Sequence, residues 1–120
     1  MADHNDTGDA GEKIAADFLS DNKYKIRHRN WRFGKDEIDI IAEKGNDLVI
    51  VEVKTRRSRF YGEPEMAVTR QKQRFLIRAT QAYVERYDLD LEVRFDIIAI
   101  VLSPNGPEIN HIEDAFYPVL

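Results

Sequence analysis

Apolar and polar positions divide the chain into seven segments. From about Asp9 to Asp21, Ile14, Ala15, Phe18 and Leu19 recur at helical spacing and predict an amphipathic helix. Residues 1–8 show no periodicity and are expected to be a flexible terminus ahead of a single domain over 9–120. Tyr24 to Phe33 alternates as a strand, with Tyr24, Ile26 and His28 set against Lys25, Arg27 and Arg29. Its phase slips near Asn30-Trp31, which predicts a bulge or bend there. Glu37–Ala42 and Asp47–Lys54 are dense apolar runs joined by Glu43-Lys44-Gly45-Asn46-Asp47, the pattern of an antiparallel hairpin. The second run is apolar on both faces, so it belongs in the middle of a sheet. A long helix is predicted from Glu63-Pro64, with proline in its first turn, to about Tyr87. Val68, Phe75, Leu76, Ala79, Ala82 and Tyr83 are its expected buried stripe. Arg94–Val101 reads as another internal strand and Ser103–Pro107 as a turn. Glu108–Ile112 makes a short last strand, with Ala115-Phe116 packing the end.

One of these strands ends in chemistry. Side chains two apart on a strand share a face, so Glu52 and Lys54 follow Leu48 and Ile50 on the same core-facing row. Unpaired charge in that position would cost several kcal/mol or more. A salt bridge, water or a metal ion must compensate it. The hairpin brings Asp39 near Glu52, and two close carboxylates repel unless a cation lies between them. Other polar residues have plainer readings beside the functional one. Asp9-x-x-Glu12 matches a helix capping pattern, so Glu12 has a structural role available to it. Lys72 falls on a buried helical face, where it can snorkel, pair with a carboxylate or face the site. His28 has no second His or Cys at ligand spacing, which favours a structural role. Asp96 reads as support, pairing with Arg94, Lys72 or backbone groups.

Composition narrows the field of functions. At 120 residues, 42% hydrophobic and 33% charged, the chain suits one soluble globular domain. It carries no membrane-length apolar run and its amino terminus is polar and acidic, unlike a secretory signal. Zero cysteines exclude disulfide and thiolate chemistry and fit a cytoplasmic location. The net charge of −4 argues against a nucleic-acid binder until its distribution is seen. Residues 1–22 carry net −5, residues 23–78 net +7 and residues 79–120 net −6. The basic block therefore coincides with the candidate chemistry, and local field governs phosphate binding. Arg56, Arg57 and Arg59 leave the Glu52 strand directly, interleaved with Phe60 and Tyr61, a composition suited to phosphates and exposed bases. The basic row Lys23, Lys25, Arg27, Arg29 and Arg32 either follows a phosphate backbone or guards an edge strand.

Asp39, a dozen or so residues, then Glu52-x-Lys54 resembles the PD-(D/E)xK nuclease superfamily. Gly11-Glu12, Asn30-Trp31-Arg32, Glu37-Ile38-Asp39, Val51-Glu52-Val53-Lys54-Thr55-Arg56, Phe60-Tyr61-Gly62, Lys72 and Arg94-Phe95-Asp96 resemble, in order, the YraN family of small bacterial proteins. That family is similar to archaeal Holliday-junction resolvases. Where it usually reads Gly-Glu-Ile-Asp, this chain has Asp36, an extra negative charge near the site. The resemblance implies an α/β, restriction-endonuclease-like mixed β-sheet flanked by α-helices, with the site at one edge. It also implies Asp39, Glu52 and the Val53 carbonyl as ligands of Mg²⁺ or Mn²⁺, with Glu12 reaching the site from the first helix. Lys54 would assist at the attacked phosphate and Lys72 would face the site and contact nucleic acid. The expected activity is metal-dependent hydrolysis of phosphodiesters in nucleic acid, in structured or branched DNA above all. A homodimer is expected by analogy with the resolvases, and a membrane partner is not. The competing expectation is a non-catalytic nucleic-acid-binding or interaction module that keeps the fold, with Glu52 and Lys54 as an ion pair. A nucleophile elbow, a phosphate-binding glycine loop and a histidine cluster are absent from the sequence, which removes a small-molecule hydrolase.

Overall fold

The computed structural model describes residues 2–57 and 68–117, with side chains from Gly8 onward. Helix α1 (Ala2–Asp21) is followed by strands β1 (Lys25–Phe33), β2 (Asp36–Lys44) and β3 (Asp47–Arg56). Helix α2 (Arg70–Tyr87), β4 (Glu92–Ser103) and β5 (Gly106–Ile112) complete the order. The strands form one sheet in the order β1-β2-β3-β4-β5. All neighbours are antiparallel except β3 and β4, which are parallel from Asp47↔Glu92 to Arg56↔Val101. A parallel pair cannot be joined by a tight turn, and α2 lies in its crossover. This is a mixed α/β sheet flanked by helices, consistent with a restriction-endonuclease-like fold. Among the described residues, no helix is long and apolar enough to cross a membrane.

Two hydrophobic cores sit on the two faces of the sheet. Ala15, Ala16 and Leu19 of α1 pack with Ile40, Val49, Val51, Ile98 and Ile100. Phe75, Leu76, Ala79 and Tyr83 of α2 pack with Ile38, Ile41, Leu48, Ile50 and Phe95. β3 contributes alternate residues to both cores, which is why its sequence is apolar on both faces. In β2, Ile38 and Ile41 share one core while Ile40 and Ala42 share the other. Strict alternation therefore breaks at Asp39, and the β2–β3 ladder also stops beside it, at Ile40↔Val51.

The hairpin between β2 and β3 turns at Gly45, whose φ of 59° suits glycine. Two local expectations are corrected and a third is refined. α1 begins at Ala2 rather than near Asp9, so Asp9 lies inside the helix and cannot cap it. α2 begins at Arg70, with Thr69 as N-cap accepting from Lys72 N at 3.1 Å; the Glu63-Pro64 start falls outside the described residues. The register shift of β1 lies between Ile26 and His28, while at Asn30 the strand is interrupted by a φ of 52° with no shift of register. That bulge turns Arg27 onto the α2 side, where it donates to Tyr83 Oη at 2.8 Å and pairs with Glu43 at 2.6 Å. Arg27 is thus part of the fold and not of a free basic row. His28 is structural in the same way, 2.7 Å from Tyr83 Oη.

Candidate active site

The site lies where β2 and β3 part. Asp39 sits at the break in β2, and its Oδ2 accepts from Val53 N–H at 2.8 Å. A side-chain oxygen thereby does the work of a ladder carbonyl, which lets the strands diverge without orphaning that amide. The divergence opens a cleft of about 400 Å³ lined by Glu12, Asp39, Glu52, Val53, Lys54 and Arg56, with Gly8 and Thr55 at its margin. α1 reaches it because Gly11 lies against Thr55 of β3; any Cβ at Gly11 would overlap the Thr55 hydroxyl. Glu12, the next residue, projects into the cleft.

Glu52 is 4% exposed. Its Oε2 lies 3.7 Å from Lys54 Nζ and 3.8 Å from Lys72 Nζ. Its Oε1 is buried and has no hydrogen-bond partner among the described residues. Asp39 lies against this carboxylate. Burial first, and then the Glu52 charge and its contact, push the Asp39 carboxyl up to about 8, against the pull of Val53 N–H and Lys72. On the other side of Asp39 stand Glu12 and Glu37, and one carboxylate oxygen from each of the three falls within 4.8 Å of the others. Glu12 is raised by burial, which outweighs its hydrogen bond from Asn30. Asn30 Nδ2 donates to Glu12 Oε1 at 2.6 Å and to Glu37 Oε1 at 3.1 Å.

The fold thus brings together Glu12, Asp39, Glu52, Val53 and Lys54, as the sequence expects. With Asp9 inside the helix, the capping role for Glu12 is gone. Arg56 lines the cleft and is half-buried, while Arg57 is exposed. Arg59 lies outside the described residues. Lys72 faces the site, but it is engaged: its Nζ is 2.9 Å from Asp36 Oδ2 and 3.4 Å from Glu37 O, over the Phe75 ring at 5.0 Å. Lys72 in turn holds Asp36 below the usual carboxylate range despite its desolvation. The additional acid in the Asp36-Glu37-Ile38-Asp39 stretch is therefore neutralised by α2. Glu37 and Asn30 were not singled out as site residues from the sequence. Glu37 carries a readable signal, being two positions from Asp39 on a strand; Asn30 carries the phase slip of its strand and a place in the Asn30-Trp31-Arg32 motif, neither of which points to a carboxylate.

Asp96, the other buried acid, is fully engaged. It receives Arg94 Nε at 3.0 Å and Nη2 at 2.9 Å, Asp114 N–H at 3.1 Å, and meets His111 Nε2 at 2.7 Å. These bonds hold it below the usual carboxylate range against complete burial. It ties β4 to β5 and the segment beyond and lies outside the cleft, a supporting residue as expected.

The family model described as uncharacterised protein family UPF0102 matches residues 11–100 of the chain. A UPF0102 protein of Phocaeicola vulgatus is 52% identical over 118 residues, covering 98% of both chains. One from Bacteroides thetaiotaomicron is 48% identical over 120 residues, covering 100% of this chain and 99% of its own. One from Flavobacterium psychrophilum is 51% identical over 117 residues and 98% of both. The matched region includes every residue of the cleft except Gly8.

Proposed function

The chain belongs to the UPF0102 family, the YraN family of its motifs, and we propose that within it this protein is a metal-dependent nuclease hydrolysing phosphodiesters in DNA. The observation that carries the reading is Glu52: a buried carboxylate with one oxygen unpartnered, pressed against a second carboxylate whose pKa is about 8, in an open cleft. Such an arrangement is unfavourable as bare structure and is relieved by a cation.

The donor set fits a hard divalent ion, Mg²⁺ or Mn²⁺, since every side-chain donor is a carboxylate oxygen. Asp39 and Glu52, with the Val53 carbonyl, would hold it, and Glu12 would complete the set. A divalent ion supplies Lewis acidity there, polarising a phosphoryl oxygen and easing deprotonation of an attacking water. The chain's own residues supply the rest. Lys54, with 29% of its side chain exposed, places a positive charge at the mouth of the cleft where charge develops on the attacked phosphate. Val53 N–H fixes the Asp39 oxygen that accepts from it and so sets the orientation of that carboxylate. Lys72 offsets the Glu52 charge from the α2 side. Arg56 and Arg57 continue the basic path out of the cleft and Arg59 extends it in the sequence. A second cleft of about 410 Å³, walled by Lys35, Lys72 and Arg78 with Phe33, Asp36 and Phe75, offers further phosphate contacts.

The second reading is a nucleic-acid-binding or interaction module without catalysis. Its support is that Lys54 and Lys72 both lie within 4 Å of Glu52 Oε2, so lysines alone already offset part of the charge. The test is incubation of purified protein with labelled single-stranded, duplex, flap and four-way-junction DNA, with Mn²⁺ or EDTA. Mn²⁺-dependent cleavage abolished by Asp39→Ala is the expected result. Binding without cleavage of any substrate would favour the module. Gel filtration with light scattering tests whether the protein is the homodimer that the resolvases suggest.

A further inference from the structure

Asn30 interrupts β1 with a φ of 52°. It falls between the pairs Arg29↔Ile40 and Trp31↔Ile38, opposite Asp39. A left-handed residue inside a strand is unfavourable for any side chain and persists only where its surroundings hold it; asparagine is among the residues that tolerate it best. The conformation has a consequence. It aims one amide at two carboxylates from different elements, Glu12 Oε1 of α1 at 2.6 Å and Glu37 Oε1 of β2 at 3.1 Å. Both acceptors are carboxylates, so chemistry requires the nitrogen, not the oxygen, to face them. The other Glu37 oxygen has Arg32 Nη1 at 3.8 Å, a mostly exposed and weak pair.

We infer that Asn30 is the positioning residue of this site and that Glu37 is a further carboxylate of its ion-binding set; the inference rests on the metal-dependent reading above. Without a donor between them, Glu12 and Glu37 would repel each other and Asp39 and turn outward to water. The amide uses one oxygen of each and holds both groups around Asp39, within the 4.8 Å span that a single cation bridges. Glu52, nine-tenths buried with Oε1 unpartnered among the described residues, lines one cleft with Glu12 and Asp39. Asn30 touches neither substrate nor ion; it acts through the carboxylates, as a partner behind metal ligands does.

The experiment is titration calorimetry with Mn²⁺ alone on wild type, Asn30→Gly, Glu37→Gln and the double variant, with melting in EDTA as the control for folding. Glycine keeps the left-handed backbone and removes the amide; should it fail to fold, Asn30→Ser takes its place in the cycle. The expected result is a Mn²⁺ affinity lowered by roughly 10- to 100-fold in each single variant, with melting in EDTA little changed. The double variant should lose less than the product of the two losses, because Asn30 acts partly through Glu37. Wild-type binding with unchanged affinity in Asn30→Gly, or fully multiplicative losses, would overturn this assignment alone. Wild type that binds no Mn²⁺ would overturn the metal reading and this one with it.

Discussion

Two buried carboxylates stand almost side by side on the parallel strands β3 and β4, and they have opposite fates. Asp96 pairs in register with Val51, one residue from Glu52. Asp96 is wholly buried and satisfied by a bidentate arginine, an imidazole and a backbone amide. Glu52 is nearly as buried, yet among the described residues one of its oxygens has no partner and the other meets lysines at 3.7 and 3.8 Å. Evenly matched burial therefore separates two kinds of acid. A saturated one is a fastener, and an unsaturated one beside a second carboxylate is held ready for a cation. The titration directions agree: Asp96 is lowered, whereas Asp39, against Glu52, is raised to about 8.

The most damaging way to break the comparison is Asp96→Ala. It removes the buried acceptor shared by Arg94, His111 and the Asp114 amide and should cost about 3–5 kcal/mol of stability. Urea denaturation in EDTA measures it; a loss below about 1 kcal/mol would mean the network is not a fastener. Lys54→Met acts on the other acid and should leave folding and Mn²⁺ binding near wild type in the presence of the ion. Cleavage should fall by roughly 10²-fold or more, the scale of one electrostatic donor at a transition state. A stable, Mn²⁺-bound variant that cleaves at the wild-type rate would remove Lys54 from the mechanism.

Gly11→Ala probes how α1 delivers Glu12. The new methyl meets Thr55 Oγ1 and must push the helix from β3, at a cost of about 1–3 kcal/mol. Mn²⁺ affinity should fall with it, and Gly11→Ala combined with Thr55→Gly should recover part of both.

The mildest test is a pH profile. The Asp39 carboxyl is raised from the ordinary range near 4 to about 8 in the folded protein. The folded state therefore holds the extra proton, and the stabilisation is full below pH 4 and lost as pH rises through about 8. The ion-free melting temperature should decline over that window. Asp39→Asn, which mimics the protonated acid, should flatten the profile and be more stable than wild type at pH 9 by more than about 1 kcal/mol. Saturating Mn²⁺ should reverse that order, since it stabilises only the protein that binds it. Parallel profiles for the two proteins in EDTA would show that Asp39 is not strained by its neighbours.

Much of this was legible in the chain because the signals are local or periodic. The apolar run of β3, hydrophobic on both faces, announced a central strand, and the Glu43–Asp47 turn announced the hairpin that brings Asp39 to Glu52. Asp39, Glu52 and Lys54 were marked out by strand spacing, and Glu12 joined them only through the family resemblance. Boundaries were less legible. The Thr69 cap outweighed the Glu63-Pro64 signal for the described part of α2, and the Arg27 bulge sits where the polar pattern is unbroken. Tertiary structure alone decided which charges are engaged, because partnership depends on distances between elements far apart in sequence. Arg27, basic and strand-like in the sequence, is consumed by Glu43 and Tyr83; Lys72 is tied to Asp36 across 36 residues. Asn30 acquires its role only when α1 and β2 place Glu12 and Glu37 on either side of it. The sequence by itself determined which acids the protein owns and on which strands they lie. Whether each is saturated or left ready is a property of packing, since burial and hydrogen bonding set the cost of a carboxylate, and neither exists until the sheet and its two helices close.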